Sequence, residues 1–180
     1  ASLMKAPPQA AAPAAIAMAA PIAEPPVGTD IPATLFESGV RLLEEGRAEA
    51  AVRPLQAAIQ LRPDAMPYHL ALGTAQLARH RLGADTADAA QTAFEVAARL
   101  DPRSALPHLQ MGNLAWERRR WSDAQEAYAK AYARDSSRAE VLEGLVAASW
   151  YAGDFTTAGW AVREARDRSI ETPLISRAAV

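Results

Sequence analysis

The amino-acid sequence predicts an all-α fold built from antiparallel helix pairs that stack along the chain. Half of the 180 residues are hydrophobic but only 6% are aromatic, and alanine dominates the apolar set. Alanine is the strongest helix former and a poor strand residue, so this composition favours closely packed helices over a sheet. A near-duplicated stretch, HLALGTAQL at 69–77 and HLQMGNLAW at 108–116, indicates that the helices form a repeat.

The first 31 residues differ from the remainder and are predicted to form an extended, linker-like arm. Seven of the 13 prolines lie at or before Pro32. Prolines this frequent prevent a continuous helix, and alanine offers little surface to bury. A secretory signal, with Lys5 ahead of an Ala-Met-Ala cleavage site at 17–19, is the alternative, although the leucine-type run of such signals is lacking. The prolines also argue against a membrane span.

Residues 32–170 divide into four units that place the same residue types at the same spacing. Each of the first three units has a glycine in its first half, and all four have a large residue flanked by alanines in the second half. The units are 32–65 with Gly39 and Leu55, 66–104 with Gly73 and Phe94, 105–138 with Gly112 and Tyr128, and 139–170 with Val162. Small residues let two antiparallel helices approach closely, so we expect each large side chain to fill the space beside them.

Turn signals predict where the helices begin and end. Glu45-Gly46 marks the turn of the first unit, and the second unit has five extra residues around RHRLGAD, which we expect to lengthen its turn and leave its helices intact. The stretch WSDAQ predicts a helix that begins with Ser122 as N-cap and with Gln125 closing a capping box. Asp154, which follows Gly153, is predicted to cap the last helix.

These four units resemble the tetratricopeptide repeat, a helix–turn–helix unit with the signature W-x₂-L-G-x₂-Y…A-x₃-F…P. The resemblance covers residues 32 to about 170 and implies a right-handed superhelical solenoid. The tyrosine of the signature is absent, its position being held by Leu42, Gln76, Ala115 and Ser149. The C-terminal tail, residues 171–180, contains Pro173 and is shorter than the helix that usually covers the last repeat. We therefore expect a partner, another copy or further sequence to cover that end.

The sequence contains no enzyme signature, and we predict no catalytic residue, no cofactor and no metal site. It has no cysteine and lacks a glycine-rich phosphate loop, a G-x-S-x-G motif and an H-E-x-x-H motif. His69 and His108 hold equivalent positions in adjacent repeats, roughly 10 Å apart, too far to share one metal ion. We interpret them as packing residues. The net charge of −2 indicates no general attraction to nucleic acid or to anionic membranes.

The resemblance implies that the first helix of each repeat lines the concave side of the solenoid. Helical spacing selects on these helices a mainly apolar strip that we predict to bind a peptide. Its residues are Phe36, Val40, Leu70, Thr74, Leu77, Leu109, Asn113, Trp116, Glu117, Trp150 and Tyr151. Trp116 and Trp150, 34 residues apart, are expected to stack along this groove, with Glu140 and Glu143 setting its polarity. The alternative is that these side chains only pack between first helices.

A second candidate surface is a basic rim at the turns of repeats two and three. It consists of Arg79, Arg81, Arg118, Arg119 and Arg120, which we predict to lie on one edge of the stack. Such a rim could bind an acidic partner, nucleic acid or lipid headgroups, although the neutral overall charge weakens the case for nucleic acid. The alternative is a solvated band of charge without a partner.

Together these features predict a non-catalytic scaffold or adaptor that binds an apolar peptide or helix of another protein in the concave groove. Two alternatives stay open: a bacterial secretion or envelope-assembly chaperone, and a scaffold that forms a larger array through its uncovered ends. A homo-oligomer would form through those ends or by exchange of the arm, and the arm is itself a candidate occupant of the groove. The compartment, cytoplasm or periplasmic side of a bacterial envelope, stays open.

Overall fold

A computed structural model describes residues 30–170, which form eight α-helices joined by short turns. The helices are α1 (Ile31–Glu44), α2 (Ala48–Leu61), α3 (Met66–Arg81), α4 (Ala87–Leu100), α5 (Leu106–Glu117), α6 (Trp121–Arg134), α7 (Ala139–Ala152) and α8 (Phe155–Asp167). No strand occurs among these residues, and none of their helices has the length and hydropathy to span a membrane. The predicted tail, 171–180, and all but the last two residues of the predicted arm lie outside the described residues.

Consecutive helices pair, and the pairs stack into a solenoid. The pairs are α1 with α2, α3 with α4, α5 with α6 and α7 with α8. The second helix of each pair then packs on the first helix of the next pair, and three hydrophobic clusters follow one another along the stack. This arrangement confirms the all-α solenoid of antiparallel helix pairs that the sequence predicts.

Glycines in the first helices and large side chains in the second helices interlock. A Cβ atom added to the glycine would lie 2.5 Å from Leu55 Cγ in the first pair and 2.7 Å from Tyr128 Cδ1 in the third. Leu55 and Phe94 are completely buried, and Tyr128 is 4% exposed. Only glycine allows this approach at these positions, and the interlocked residues are Gly39 with Leu55, Gly73 with Phe94 and Gly112 with Tyr128.

The helix ends agree with the sequence at some positions and differ at others. Asp154 caps α8 as predicted, since its carboxylate accepts a hydrogen bond of 3.0 Å from the Thr157 backbone N–H. The predicted capping box at Ser122 is wrong, because α6 begins at Trp121 and Ser122 already lies inside the helix. Gln125 instead donates a hydrogen bond of 2.7 Å to Asp154 Oδ2, so it ties α6 to the beginning of α8.

The extra residues of the second repeat lengthen its turn as predicted. The turn runs from Leu82 to Thr86, and α3 extends to 16 residues compared with 14 in α1. Thr86 fixes this turn, because its hydroxyl donates a hydrogen bond of 2.7 Å to the Gln76 carbonyl oxygen. The insertion therefore sits at one edge of the stack and leaves the packing of α3 against α4 in place.

Candidate functional site

The contacts between helices show which side of the solenoid is concave. The first helices touch one another in the order α1, α3, α5 and α7, whereas no second helix touches another second helix within the described residues. Second helices that fan apart must lie on the outer, convex side of a curved stack. The first helices therefore line the concave side, as the resemblance implies.

A pocket of about 330 Å³ lies on this concave side between α3, α5 and α7. It lies against three successive first helices, and Tyr128 of α6 forms its floor. The lining residues are Arg81, Asn113, Trp116, Glu117, Tyr128, Glu140, Glu143, Gly144 and Ala147. The pocket thus combines one aromatic wall with several carboxylates.

The charge of the pocket is negative. Arg81 Nε donates a hydrogen bond of 3.0 Å to Glu117 Oε1, and Glu140 Oε1 accepts one of 3.1 Å from Arg138. Glu143 is half-buried and forms no ion pair within residues 30–170. Three carboxylates therefore face one arginine of the lining, and a pocket with an excess of negative charge attracts a cation.

The floor of the pocket is a neutral tyrosine held in place by an amide. Burial raises the pKa of Tyr128 to about 12, with Glu117 adding to the shift and Arg81 opposing it. The protonated hydroxyl donates a hydrogen bond of 2.8 Å to Asn113 Oδ1. Asn113 Nδ2 also donates a long hydrogen bond of 3.4 Å to Gln110 Oε1, so the tyrosine hydroxyl is the main partner of this amide.

The structure spreads the predicted groove residues over several environments. Asn113, Trp116 and Glu117 line the pocket together with Glu140 and Glu143. The remaining members lie elsewhere. Phe36 stacks on Tyr68 at 4.8 Å between ring centroids, and the Thr74 hydroxyl donates a hydrogen bond to the Leu70 carbonyl oxygen. Val40 is half-buried, whereas Leu77 and Leu109 are only 2% and 5% exposed. Leu77 and Leu109 therefore pack within the core and offer no surface to a ligand.

The predicted stack of Trp116 on Trp150 does not form. Trp116 meets Trp121 at 4.9 Å between ring centroids and Tyr151 of the next repeat at 5.5 Å, whereas Trp150 meets Phe155 at 5.2 Å. Sequence reasoning missed Trp121, although its position five residues after Trp116, directly behind the turn, is shared by Phe155 after Trp150. This repeated five-residue spacing between aromatic residues could have identified Trp121 from the sequence.

The basic rim is largely neutralised by ion pairs. Four of its five arginines bind carboxylates: Arg79 binds Glu49, Arg81 binds Glu117, Arg118 binds Asp88 and Arg120 binds Asp123. Arg119 is exposed and has a φ of 55°, in the left-handed region. The rim is also divided, since Arg81 lines the concave pocket while Arg118 and Arg120 face the convex side.

A larger cavity of about 650 Å³ opens on the convex side between α4, α5 and α6. His108 lies at its edge, is 9% exposed, and its Nδ1 has no hydrogen-bond partner among residues 30–170. Burial lowers the pKa of His108, and Arg134 and Lys130 lower it further. No group of three or more His, Asp or Glu side chains in the described part of the chain could hold a metal ion.

Comparison with known proteins gives matches in structure alone. No protein-family model matches the sequence, and no curated protein matches it. TTC0263, a thermophilic TPR protein of Thermus thermophilus, matches with a TM-score of 0.67 and 20% identity over 82% of this chain and 79% of its own. PilF of Pseudomonas aeruginosa matches with a TM-score of 0.70 and 20% identity over 82% of this chain and 65% of its own.

A third similar structure is SycD, a type III secretion translocator chaperone of Yersinia enterocolitica. It matches with a TM-score of 0.62 and 16% identity over 70% of this chain and 97% of its own. At identities this low, the likeness shows a shared stack of helix pairs.

Proposed function

We propose that this chain, which has the tetratricopeptide repeat fold, is a non-catalytic scaffold that binds a segment of another protein on its concave side. The pocket between α3, α5 and α7 is the centre of that surface, and it takes a lysine or arginine side chain of the bound segment. Apolar residues of the segment pack on either side of this basic residue. The proposal rests on the observation that three carboxylates and the Trp116 side chain line one pocket on the concave side.

The aromatic wall and the carboxylates favour the same ligand chemistry. A lysine or arginine placed over the face of a tryptophan gains about 0.5–1 kcal/mol at exposed sites and more where water is excluded. Glu143 offers that cation a carboxylate with no ion pair within the described residues. A pocket of about 330 Å³ accommodates one long side chain, so the remaining affinity has to come from neighbouring contacts along the groove.

A library of random peptides displayed on phage, selected against the intact chain, tests this proposal. Enriched peptides are expected to share a lysine or arginine flanked by apolar residues, and their binding should weaken as salt screens the charges. Glu143→Gln keeps the shape of the side chain and removes its charge, so it should reduce binding by about tenfold, which corresponds to 1.4 kcal/mol.

Glu126→Gln is the matched control, because Glu126 is an exposed carboxylate on α6 that pairs with Lys130 on the convex side. Binding should be unchanged in that variant. Enriched peptides without a basic residue, or equal losses in both variants, would refute a cation-binding pocket.

The same surface would serve an adaptor or a secretion chaperone. SycD is a translocator chaperone with this fold, so a chaperone role stays the alternative to an adaptor. The selected peptides separate the two, because matches in the exposed segments of folded proteins favour an adaptor and matches in segments of exported proteins favour a chaperone.

A further inference from the structure

Two equivalent aromatic pairs join a first helix to a second helix across the turn of repeats three and four. Trp116 and Trp121 are 4.9 Å apart between ring centroids, and Trp150 and Phe155 are 5.2 Å apart, each pair nearly edge to face. Tyr151, from the following repeat, covers the first pair at 5.5 and 5.0 Å. Within residues 30–170 no ring covers the second pair.

The uncovered pair belongs to an exposed aromatic surface at the end of the stack. Trp150, Tyr151 and Phe155, which we call the terminal aromatic patch, are 61%, 61% and 62% exposed. Full burial of an aromatic side chain removes roughly 150–250 Å² from water, and about three fifths of each residue is still exposed here. Exposed apolar surface of a few hundred Å² marks an interaction site on most soluble proteins. We therefore expect another segment or molecule to cover the terminal aromatic patch.

A second copy stacked end to end is a poor occupant. In α3, α5 and α7, residues such as Leu72, Leu114 and Leu145 pack against the preceding second helix. The equivalent face of α1 is polar, with exposed Thr34, Glu37 and Arg41 and half-buried Ser38. Placing that face against α8 would remove the charges of Glu37 and Arg41 from water, which is costly.

The part of the N-terminal arm that precedes the described residues, residues 1–29, has the chemistry that aromatic surfaces bind. It contains six prolines, and residues 6–23 include no charged side chain. Proline-rich segments adopt an extended helix and dock their rings in aromatic-lined grooves at little entropic cost. The patch offers three such rings and no carboxylate of its own.

The arm is also long enough. Asp30, where it joins α1, is fixed by a bidentate pair with Arg62 at 3.0 Å. Three steps between neighbouring first helices at roughly 10 Å each, combined with one helix length of roughly 20 Å, put the patch about 40 Å from Asp30. The 16 residues from 14 to 29 span about 50 Å at 3.1 Å per residue, which leaves residues 6–13 to reach the patch.

We infer that the arm docks on the terminal aromatic patch of its own chain, with Pro7, Pro8 and Pro13 stacked on Trp150, Tyr151 and Phe155. The prolines then cover the Trp150–Phe155 pair as Tyr151 covers the pair before it. This contact lies outside the concave pocket and does not depend on the proposed peptide binding there.

Paramagnetic NMR on the full chain tests the inference. The sequence has no cysteine, so Ala10→Cys introduces one unique site for a spin label. A docked arm should remove most of the signal intensity of amides near 150–160 while leaving those of α1 and α2 intact. An undocked arm should act instead on amides next to its attachment at Asp30.

Trp150→Ser/Phe155→Ser is the matched variant, and both residues are exposed enough for the fold to survive their replacement. The loss near 150–160 should disappear in it, with the spectrum of α1–α6 unchanged. Three results would overturn the inference. The first is a loss that appears only when spin-labelled chains are mixed with separate isotope-labelled chains, which would mean that the arm binds another copy. The second is a loss caused by a label at Ala178→Cys in the tail and not by the label at Ala10→Cys. The third is the absence of any loss at 150–160.

Discussion

Gly112 shows at the scale of one residue how the helices approach. A Cβ atom there would lie 2.7 Å from two carbons of the Tyr128 ring, and the hydrogen bond from the Tyr128 hydroxyl to Asn113 keeps that ring in place. We expect Gly112→Ala to destabilise the fold, because overpacking costs about 1–3 kcal/mol whereas the gain in helix propensity is about 1 kcal/mol. Urea unfolding followed by circular dichroism measures the difference.

Gly159→Ala is the control for that experiment. A Cβ atom on Gly159 meets only Arg163 Nη1, at 3.7 Å, so the substitution should raise the free energy of unfolding by up to about 1 kcal/mol. Equal stabilisation by both substitutions would show that Tyr128 yields and that the interlock is not rigid.

The burial of His108 is expected to make the protein less stable in acid. Burial holds its pKa below the usual value of 6.5, so the folded state keeps the imidazole neutral while the unfolded chain takes up a proton. The unfolded state then binds more protons below pH 6.5, and the free energy of unfolding falls as the pH drops through that range.

His108→Leu should remove this contribution. Because Nδ1 has no hydrogen-bond partner within the described residues, stability at neutral pH should change little, while melting temperatures measured just below pH 6.5 should fall less steeply. His69→Gln serves as the control, since His69 Nε2 lies 2.8 Å from the Pro63 carbonyl oxygen, and it should keep the acid dependence. An unchanged slope in His108→Leu would contradict the assignment.

At the scale of an element, replacing the two predicted N-cap residues, Asp154 and Ser122, by alanine should affect stability differently. Hydrogen bonds from the Thr157 hydroxyl and backbone N–H, and from Gln125, lower the pKa of Asp154. A lowered carboxylate pKa adds stability above the pKa of the unfolded chain, and this stability is lost as the pH falls through the folded value. Asp154→Ala should therefore lower the melting temperature at pH 7 and much less in acid.

Ser122→Ala should leave the melting temperature unchanged or raise it slightly, because Ser122 is exposed inside α6, caps nothing, and is replaced by a stronger helix former. A loss in Ser122→Ala comparable to that in Asp154→Ala would mean that α6 begins later in solution.

These two positions also show what local sequence can and cannot predict about an element. Gly153 and Asp154 form a left-handed turn and a cap from adjacent residues, so the chain itself contains the whole signal. At Ser122 the local motif was complete, but the helix began two residues earlier than predicted, with Arg120 at the N-cap position, and Gln125 found a partner 29 residues away. Tertiary contacts decided that helix end, and no short-range pattern contains them.

For the whole molecule, the repeat spacing was sufficient to predict the architecture but only part of the candidate site. Asn113, Trp116 and Glu117 meet on the concave side because helical periodicity alone puts them there. The partner of Trp116 depends on how far each repeat rotates relative to the previous one, and that rotation brings Tyr151 rather than Trp150 to it. The burial of Leu77 likewise results from packing between helices.

The stack should come apart most easily between its second and third repeats. α4 packs on α5 less extensively than α2 on α3 or α6 on α7, and the convex cavity of about 650 Å³ opens beside this junction. Leu114 is 1% exposed and packs with Phe94 and Ala90 across the junction. Because each repeat contacts only its neighbours, weakening one junction uncouples the parts on either side of it.

Leu114→Ala should cost about 2–5 kcal/mol and divide the molecule into two units. In native-state hydrogen exchange, α1–α4 and α5–α8 should then lose protection at different denaturant concentrations. Leu145→Ala is the matched control, because Leu145 is equally buried but lies in α7, so it should release α7 and α8 alone. If all eight helices instead lost protection together in both variants, the solenoid would unfold as one unit, and the weak junction would have no influence on its opening.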